Sequence, residues 1–409
     1  MSKIIVQKYG GSSLHDTQAI LAVAKRISTS HRDGVSIVAV VSAMGSTTDE
    51  LTNLASQLTN NPDRRELDLL LSTGELVSCT LTTMALQAIG KPAKSLSGWQ
   101  AGIYTDSRYG KAQIKDIDIS PIMTELQIGN IVIIAGFQGI DDGSDITTLG
   151  RGGSDTTAVA IAAALNADKC EIYTDVDGIY SADPRLVPSA QKLSHISYEE
   201  MLEMASYGAK MHPRSIELAM TYNVPIYVSS SFTDNEGTLI HTGSNKKMHH
   251  IEEQRKRVIS IATKSGYTKF TLTRVPNRSG LASQIFEPLS EKDISVDEIS
   301  MNAERGNTTD LTFTVDSIDR DITSEVLQQL KTKLNAGGVI ISDNLAKVSI
   351  VGTGMREESG YAALMFTTLA NNGINIDLIT TSEIRITCLI DQSDLEAAAK
   401  SLHKAFELD

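Results

Sequence analysis

The chain has 409 residues, of which 41% are hydrophobic and 21% are charged, a composition typical of globular proteins with two or three domains. Its formal net charge is −13. This acidic balance argues against a nucleic-acid or anionic-membrane partner, because no excess of lysine and arginine is available to neutralise phosphates. An anionic small molecule can still bind where a few cations are concentrated.

The three cysteines, Cys79, Cys170 and Cys388, lie far apart in apolar surroundings. No CxxC pair or Cys/His ligand spacing occurs, so we predict buried free thiols and no structural metal site. The first residues run directly into a strand pattern, and the longest apolar runs, such as 35–43, are too short to span a bilayer. We therefore expect a cytoplasmic protein.

Strand and helix patterns alternate over residues 1–230. Apolar strand patterns lie at 4–6, 35–42, 131–135, 170–174 and 225–228, and helical periodicity at 17–28, 67–88, 156–165, 198–207 and 214–222. Continuous apolar runs without polar alternation are typical of strands buried on both faces. The pattern predicts an α/β fold with a parallel sheet between helices, in which ligands bind at the carboxyl ends of the strands.

The first candidate loop follows the first predicted strand and contains Lys8, Gly10 and Gly11. Adjacent glycines let backbone N–H groups approach a phosphate, and the lysine supplies a positive charge beside them. No GxxxxGK(S/T) loop occurs in the chain. Because a turn with a surface lysine is the more common outcome of such a pattern, this loop alone is weak evidence for a phosphate site.

Two further candidates come next along the chain. Loop 41–49 is rich in small and hydroxyl residues, and its Ser42 and Thr48 could donate to a bound anion or cap the next helix. Glu75 lies in an apolar helical stretch, where a buried carboxylate is costly unless it is paired. It either pairs within the protein or binds a ligand ammonium group, and spacing does not decide between these roles.

Segment 149–158 is the most informative one. Three glycines, Arg151 and Asp155 precede a predicted apolar helix. The N–H groups of a helix N-terminus together with an arginine suit a carboxylate or a phosphate. Asp155 is a candidate either for the reacting centre or for the helix cap.

Loop 173–185 combines tyrosine, threonine, aspartate and arginine, which suits a nucleotide, although turn formers such as Asp183–Pro184 account for part of the pattern. Lys210 adds another lysine next to a Gly-Ala pair. The acidic cluster at 141–145 lacks the later glutamate of a calcium loop, so we predict a solvated turn there.

Polar residues at 231–260 predict a linker, and an internal repeat follows it. Nine positions between Ser279 and Ile299 recur at a constant offset of 80 residues, without a gap. Each copy has the pattern strand, Gly-led helix, turn, strand, which indicates duplicated α+β units. We predict the first unit at 261–340, with segment 391–409 as a candidate to complete it, and the second at 341–409.

Taken together, the motifs resemble those of aspartate kinases, in the amino-acid kinase superfamily. The matching segments are KYGGSS at 8–13, VVSAMGSTTDEL at 40–51, LLSTGE at 70–75, IAGFQG at 134–139, TTLGRGGSDTTA at 147–158, YTDVDGIYSADPR at 173–185 and YGAKMHPRS at 207–215. The repeat resembles paired ACT domains. The resemblance implies a three-layer αβα kinase domain at 1–230 and two ferredoxin-like ACT domains.

The resemblance also implies the reaction of ATP with L-aspartate to give ADP and 4-phospho-L-aspartate, the first step of lysine, threonine and methionine biosynthesis. ATP and Mg²⁺ would be the cofactors, lysine, threonine or both the feedback effectors, and a homodimer or larger the assembly. Lys8 would neutralise the transferring phosphoryl group and Asp155 would organise the site. Arg151 would bind a substrate carboxylate through bidentate hydrogen bonds from its guanidinium group.

Other roles are carried over motif by motif. The implied substrate-binding residues are Ser42, Thr48, Glu75, Arg151, Gly153 and Ser154. The implied ATP-binding residues are Lys8, Gly10, Gly11, Ser12, Thr174, Asp175, Tyr180, Asp183, Arg185 and Lys210. The candidate effector-binding residues are Gly280, Ala282, Val296, Asp297, Asn375, Ile376, Asp377, Thr381, Ser382 and Glu383.

The chain departs from the family pattern at four positions. Asn277 and Ser279 replace an aspartate and a proline in the first repeat, and Met301 replaces a glutamine. The lost acid and amide weaken the case for threonine binding there. Ser229 replaces a frequent arginine, and nothing in the sequence explains it. The alternatives are another kinase of the superfamily, acting on glutamate, acetylglutamate or UMP, and a non-catalytic ACT-based amino-acid sensor.

Overall fold

The computed structural model describes residues 3–32, 34–208, 211–242, 258–303, 307–353, 355 and 360–409. Its contacts divide the chain into two compact units. The first unit comprises residues 1–179 and 192–252, and the second comprises 180–191 and 253–409.

The first unit is an α/β structure. Its strands are β1 (Lys3–Tyr9), β2 (Val35–Val41), β3 (Ala93–Leu96), β4 (Ile103–Thr105), β5 (Ile114–Ile117), β6 (Ile131–Ala135), β7 (Gln138–Ile140), β8 (Ile146–Thr148), β9 (Lys169–Thr174), β10 (His195–Ser197), β11 (Ile226–Ser230) and β12 (Thr238–His241). Its helices are α1 (Thr17–Ser30), α2 (Thr47–Leu58), α3 (Arg64–Ala88), α4 (Ser120–Gln127), α5 (Gly153–Ala164), α6 (Tyr198–Ser206) and α7 (Pro213–Tyr222). The main sheet has the order β10-β12-β11-β9-β1-β2-β6-β3, and β5-β4-β7-β8 form a smaller sheet.

The main sheet is mostly parallel, as the apolar runs predict. The pairs β11·β9, β9·β1, β1·β2, β2·β6 and β6·β3 are all parallel, whereas β12 is antiparallel to β11. Alternate residues of β2 face opposite ways: Ile37 and Ala39 join a core with α1 and α3, while α5 packs on the other face. The continuous apolar runs are thereby buried on both faces.

Helix α3 begins at a capping residue, Asp63, whose carboxylate accepts the N–H groups of Arg65 and Glu66. Among the described residues, α3 has the length and apolar composition that would cross a membrane, but half of that apolar stretch is buried inside the protein. Its buried residues include Asp68 and Glu75. A core helix of a globular domain meets the same test.

The second unit is built around one antiparallel sheet. Its strands are β13 (Ser260–Pro276), β14 (Val296–Ala303), β15 (Thr308–Asp316), β16 (Gly338–Val351), β17 (Leu378–Thr381) and β18 (Arg385–Asp391), and its helices are α8 (Leu281–Ser290), α9 (Arg320–Leu334), α10 (Tyr361–Asn371) and α11 (Leu395–Ala405). The sheet order is β14-β15-β13-β16-β18-β17. Gly280 and Gly360 precede α8 and α10 with φ of 81° and 128°, values that favour glycine, so the repeat prediction is confirmed.

Two predicted boundaries need correction, and one segment of the predicted kinase domain is grouped with the second unit. The linker proposed at 231–260 contains β12, which pairs with β10 and β11 in the main sheet. Segment 180–191 is the one whose contacts group it with the second unit. Segment 391–409 completes the second repeat and not the first, because β18 pairs with the 345–351 part of β16 and the following α11 packs in that core.

Candidate active site

The carboxyl ends of the parallel strands bring the candidate loops together. The N–H of Gly10, after β1, donates to the carbonyl oxygen of Tyr173 in β9 at 3.4 Å. The N–H of Ser42, after β2, donates to the carbonyl oxygen of Tyr9 at 3.1 Å. A Cβ on Gly136, after β6, would lie 2.9 Å from the Ser154 hydroxyl of α5. The sequence-predicted loops therefore meet at one edge of the sheet.

Lys8 and Asp155 form an ion pair at this edge. Their Nζ and Oδ1 atoms are 2.6 Å apart, and the side chains are only 12% and 11% exposed. No side chain caps the N-terminus of helix α5, which begins after Gly152. Asp155 therefore does not act as the helix cap. The carboxylate lies in the first turn of α5, where the helix dipole favours negative charge, and it faces the lysine.

Glu75 is buried, with 3% of its surface exposed. Its Oε1 accepts the N–H of Ala43 at 3.1 Å, whereas Oε2 has no hydrogen-bond partner among the described residues. Burial raises the pKa of Glu75 from 4.5 to about 7, although the Ala43 N–H opposes the shift. Gly74 permits this approach, because a Cβ there would lie 2.9 Å from the Cβ of Ala43. The unpaired oxygen is suited to an ammonium group.

The other substrate-binding candidates lie on the loop after β2, at the start of α2 and at the start of α5. The Ser42 carbonyl accepts the Ser78 hydroxyl at 2.6 Å, which ties its loop to α3. Thr48 lies in the first turn of α2. Gly153 and Ser154 are buried at the start of α5, and Arg151 is exposed just before it.

Sequence reasoning did not single out His212 and Arg214, which hold the loop before α5. Gly152 has φ of 69°, and a Cβ there would come within 2.2 Å of the Cβ of His212. Arg214 donates to the Leu149 carbonyl oxygen at 2.9 Å. Burial lowers the pKa of His212, and the charge of Asp155 opposes this shift. The motif at 207–215 contains both residues and could have drawn attention to them, since its Pro213 starts α7.

The nucleotide candidates fall in several places. Thr174 Oγ1 donates to Asp175 Oδ1 at 3.1 Å, and the Thr174 carbonyl oxygen accepts the Ser231 N–H at 2.9 Å. The Ser231 hydroxyl in turn contacts the Ser13 hydroxyl at 2.8 Å, so the glycine loop after β1 lies beside the end of β9. The residues of this loop named by the sequence are Gly10, Gly11 and Ser12.

The remaining nucleotide candidates lie elsewhere in the chain. Tyr180, Asp183 and Arg185 belong to the second unit, where Arg185 Nη2 meets Asp183 Oδ2 at 2.7 Å. Lys210 lies outside the described residues. Within the described ranges, no group of three or more His, Cys, Asp or Glu residues is arranged to hold a metal ion.

The effector candidates Asp297 and Asp377 each pair with a lysine of a central strand. Lys347 Nζ on β16 lies 2.6 Å from Asp297 Oδ2, and Lys269 Nζ on β13 lies 2.8 Å from Asp377 Oδ2. Burial acts to raise the pKa of Asp297, but the hydrogen bond and charge of Lys347 hold it below its ordinary value. The other candidates lie at the start of α8, on β14 and around β17: Gly280, Ala282, Val296, Asn375, Ile376, Thr381, Ser382 and Glu383.

Comparisons with known proteins agree with this architecture. Residues 3–230 match the amino acid kinase family, and residues 270–335 and 348–406 match ACT domains. An aspartokinase of Bacillus sp. (strain MGA3) is 47% identical over 406 residues, 99% of this chain and 97% of that protein. The aspartokinase of Corynebacterium glutamicum is 45% identical over 409 residues, 99% of this chain and 96% of that protein.

The fold also has a close counterpart among solved structures. The crystal structure of E. coli aspartokinase III in complex with aspartate and ADP aligns with a TM-score of 0.79 at 26% identity, covering 98% of this chain and 99% of that one. The amino-acid kinase fold with two ACT domains, expected from the sequence, is thereby confirmed. The chain belongs to the aspartate kinase family.

Proposed function

We propose that the chain transfers the γ-phosphoryl group of ATP to the side-chain carboxylate of L-aspartate, with Lys8, Asp155, Glu75 and Arg151 as its central residues. The observation that carries the assignment is the buried Lys8–Asp155 pair at the strand ends. Neither a glutamate- or acetylglutamate-specific kinase nor a non-catalytic sensor is needed to explain this site, and the full-length relatives are aspartokinases.

The chemistry needs little acid–base catalysis. The acceptor carboxylate is already ionised, so no general base is required, and the barrier is the approach of two anions. Lys8 offers a positive charge in a site where most of its side chain is removed from water. Asp155 holds the ammonium group in place until the phosphoryl group arrives. The N–H groups at the start of α5 add further positive potential.

Aspartate would be held at two points. The unpaired Oε2 of Glu75 would accept the substrate ammonium, and the backbone N–H of Ala43 would keep the other oxygen in place. Arg151 would bind the α-carboxylate, with Ser42, Thr48, Gly153 and Ser154 contributing hydrogen bonds. Both charged ends of the amino acid are then recognised, and the side-chain carboxylate can point to Lys8.

ATP would bind along the glycine loop after β1 and the end of β9. Gly11 lies so close to the next loop that a Cβ would be 3.0 Å from the Ala43 and Gly45 carbonyl oxygens, which leaves the backbone itself to face a phosphate. Mg²⁺ fits a site with few carboxylates, because it binds mainly through phosphate oxygens and water. When bound it would neutralise phosphate charge, and the Asp155 carboxylate would share in holding it.

The reaction is tested by a substrate panel in an assay that couples ADP release to a colour change. Aspartate should be phosphorylated and glutamate should not. Lys8→Ala should lower kcat on the order of a thousandfold while circular dichroism stays unchanged. Arg320→Ala, which removes a cation that pairs with Asp343 in the second unit, is the control and should keep its kcat. Phosphorylation of glutamate but not aspartate would contradict the assignment.

The second unit is proposed to bind an amino-acid effector, with lysine favoured over threonine. E. coli aspartokinase III, a similar protein, has been crystallised in complex with lysine and aspartate. Gly280 and Gly360 lead helices whose N-termini suit a carboxylate. An effector ammonium at Asp297 would have to compete with Lys347. Initial rates with lysine, threonine and both together test this, and strong inhibition by threonine alone would contradict it.

A homodimer or larger assembly and a cytoplasmic location complete the proposal. Ile299 and Met301 on edge strand β14 are more than half exposed, at 55% and 53%, which supports association through the ACT sheet. Cys79, Cys170 and Cys388 are free and buried, as a reducing compartment favours. Sedimentation of the purified chain would report its assembly.

A further inference from the structure

Asp68 is a buried carboxylate of the first unit that the proposed reaction does not use. It lies on α3 and is 1% exposed. Its Oδ2 accepts the N–H groups of Gly110 and Thr148 at 2.9 and 2.7 Å, and its Oδ1 accepts the Thr148 hydroxyl at 2.8 Å. Burial raises the pKa of Asp68, and these hydrogen bonds oppose the shift. The carboxylate therefore ties α3 to two other parts of the backbone.

Both of these parts adjoin the loop that carries Arg151. Thr148 is the last residue of β8 and precedes Arg151 by three positions. Gly110 packs directly on the loop, since a Cβ on Gly150 would lie 2.8 Å from the Gly110 carbonyl oxygen. The Gly150 carbonyl oxygen accepts the Gly153 N–H at 2.9 Å, so the loop makes a tight turn around Arg151. A displacement of Thr148 or Gly110 would thus move Arg151.

The face of α3 that carries Asp68 also carries Glu75. The two residues are seven positions apart, which places them on one buried side of the helix, about 10 Å apart along its axis. Between them, the Ser72 carbonyl oxygen accepts Gln138 Nε2 at 2.8 Å. Gln138 stands opposite Thr148 in the β7–β8 pair. This stretch of α3 is therefore fixed against β7 and β8, and β8 leads into the loop before α5.

We propose that Asp68 is a positioning residue for aspartate binding, which holds the loop with Arg151 at a fixed distance from Glu75. The inference rests on the proposed roles of those two side chains, which would bind the α-carboxylate and the ammonium group of the substrate. Because one carbon atom of aspartate bears both groups, they can be bound together only if the two side chains keep a fixed separation. Asp68 maintains that separation by joining the loop to the helix that carries Glu75.

The first test compares Asp68→Ala with Asp68→Asn in steady-state kinetics of the full-length chain. Asp68→Ala removes every hydrogen bond of the carboxylate and should raise KM for aspartate about tenfold, with kcat and KM for ATP within about twofold. Asp68→Asn retains the contacts, because its amide oxygen accepts both N–H groups and its NH₂ group donates to the Thr148 hydroxyl. It should keep KM for aspartate within about threefold.

Thr148→Val is a milder variant, which keeps the test decisive if Asp68→Ala does not fold. It removes only the hydroxyl contact with Asp68 and should raise KM for aspartate about threefold. Thr82→Val is the matched control, because Thr82 is also buried on α3 and its hydroxyl donates to the Ser78 carbonyl oxygen of the same helix at 2.8 Å. This control should leave KM for aspartate unchanged.

A double-mutant cycle distinguishes positioning from general packing. In an Arg151→Ala background, Asp68→Ala should change KM for aspartate by less than about twofold, because the loop no longer carries the group that Asp68 positions. Effects of equal size in both backgrounds would overturn the proposal. An unchanged KM for aspartate in Asp68→Ala and Thr148→Val would overturn it too, as would a rise in both KM values together with a lower melting temperature.

Arg151→Ala alone tests the function on which the inference rests. It should raise KM for aspartate at least as much as Asp68→Ala does. If it leaves that KM unchanged, the proposed role of Arg151 fails, and the inference fails with it. If Arg151→Ala raises KM for aspartate while Asp68→Ala and Thr148→Val do not, only the positioning role of Asp68 is wrong.

Discussion

Glu75 shows how burial prepares a side chain for a ligand. Its pKa is raised from 4.5 to about 7 by burial, so the folded chain binds a proton that the unfolded chain has lost in this interval. Stability contributed by this group is therefore present below pH 4.5 and declines as pH rises toward 7. The charge it gains at higher pH is the form that binds an ammonium group.

We predict that Glu75→Gln makes the free energy of unfolding of the ligand-free chain less dependent on pH between 4.5 and 7. The difference should reach at most on the order of 3 kcal/mol, the equivalent of the full shift. The same variant should raise KM for aspartate at pH 8, whereas in the unaltered enzyme aspartate affinity should improve as pH rises through 7. Urea unfolding and steady-state kinetics at several pH values provide the measurement.

A substitution at Asp155 distinguishes a catalytic role of this residue from a purely structural one. Asp155→Asn removes the negative charge that faces Lys8 but keeps the side-chain volume. If Asp155 organises the reacting centre, kcat should fall by about a hundredfold or more while the melting temperature changes by only a few degrees. A large loss of stability with normal kcat would return Asp155 to the role of a structural partner.

The close packing of the residues at the start of α7 against the loop before α5 restricts which residue can stand at position 152. Gly152 has φ of 69° and no room for a Cβ beside His212, whereas Gly129 has φ of 86° with nothing within 4 Å. Gly129→Ala should cost only the backbone strain, about 1 kcal/mol. Gly152→Ala should cost several times more and lower kcat, because either the loop or α7 has to move. Equal unfolding free energies for the two variants would contradict this.

The sequence predicted helices and strands correctly where a regular apolar pattern reflects burial that is uniform along the whole element. The runs at β2 and β6 predicted buried parallel strands, because both faces of the sheet are covered. Segment 180–191 and the short β12 have no such pattern, and their positions follow from contacts with residues distant in sequence. His212 and Arg214 were not singled out for the same reason, since their contacts cross from α7 to another loop.

The two repeats of the second unit are joined by charges as well as by their sheet. Lys347 is fully buried, with Asp297 and Glu298 as partners, while the Lys269 and Asp377 side chains are 16% and 30% exposed. Replacing Lys347 removes an ion-pair partner from two carboxylates, whereas replacing Lys269 removes one from a single carboxylate. We predict that Lys347→Met destabilises the second unit by about 3 kcal/mol, and the control Lys269→Met by about 1 kcal/mol. Guanidinium unfolding of the full chain measures both, and similar losses would show that burial of Lys347 is not decisive.

For the whole molecule, ordered motifs and a repeat were sufficient to predict an aspartate kinase with two ACT domains. Local signals carry that information, because hydrophobic periodicity, glycine positions and motif order are properties of neighbouring residues. The pairing of Lys8 with Asp155, the unpaired oxygen of Glu75 and the insertion of segment 180–191 into the second unit required the folded chain. The pair and the inserted segment bring together residues that are far apart in sequence. The chemistry of all three features depends on burial and distances that exist only after the strands have paired.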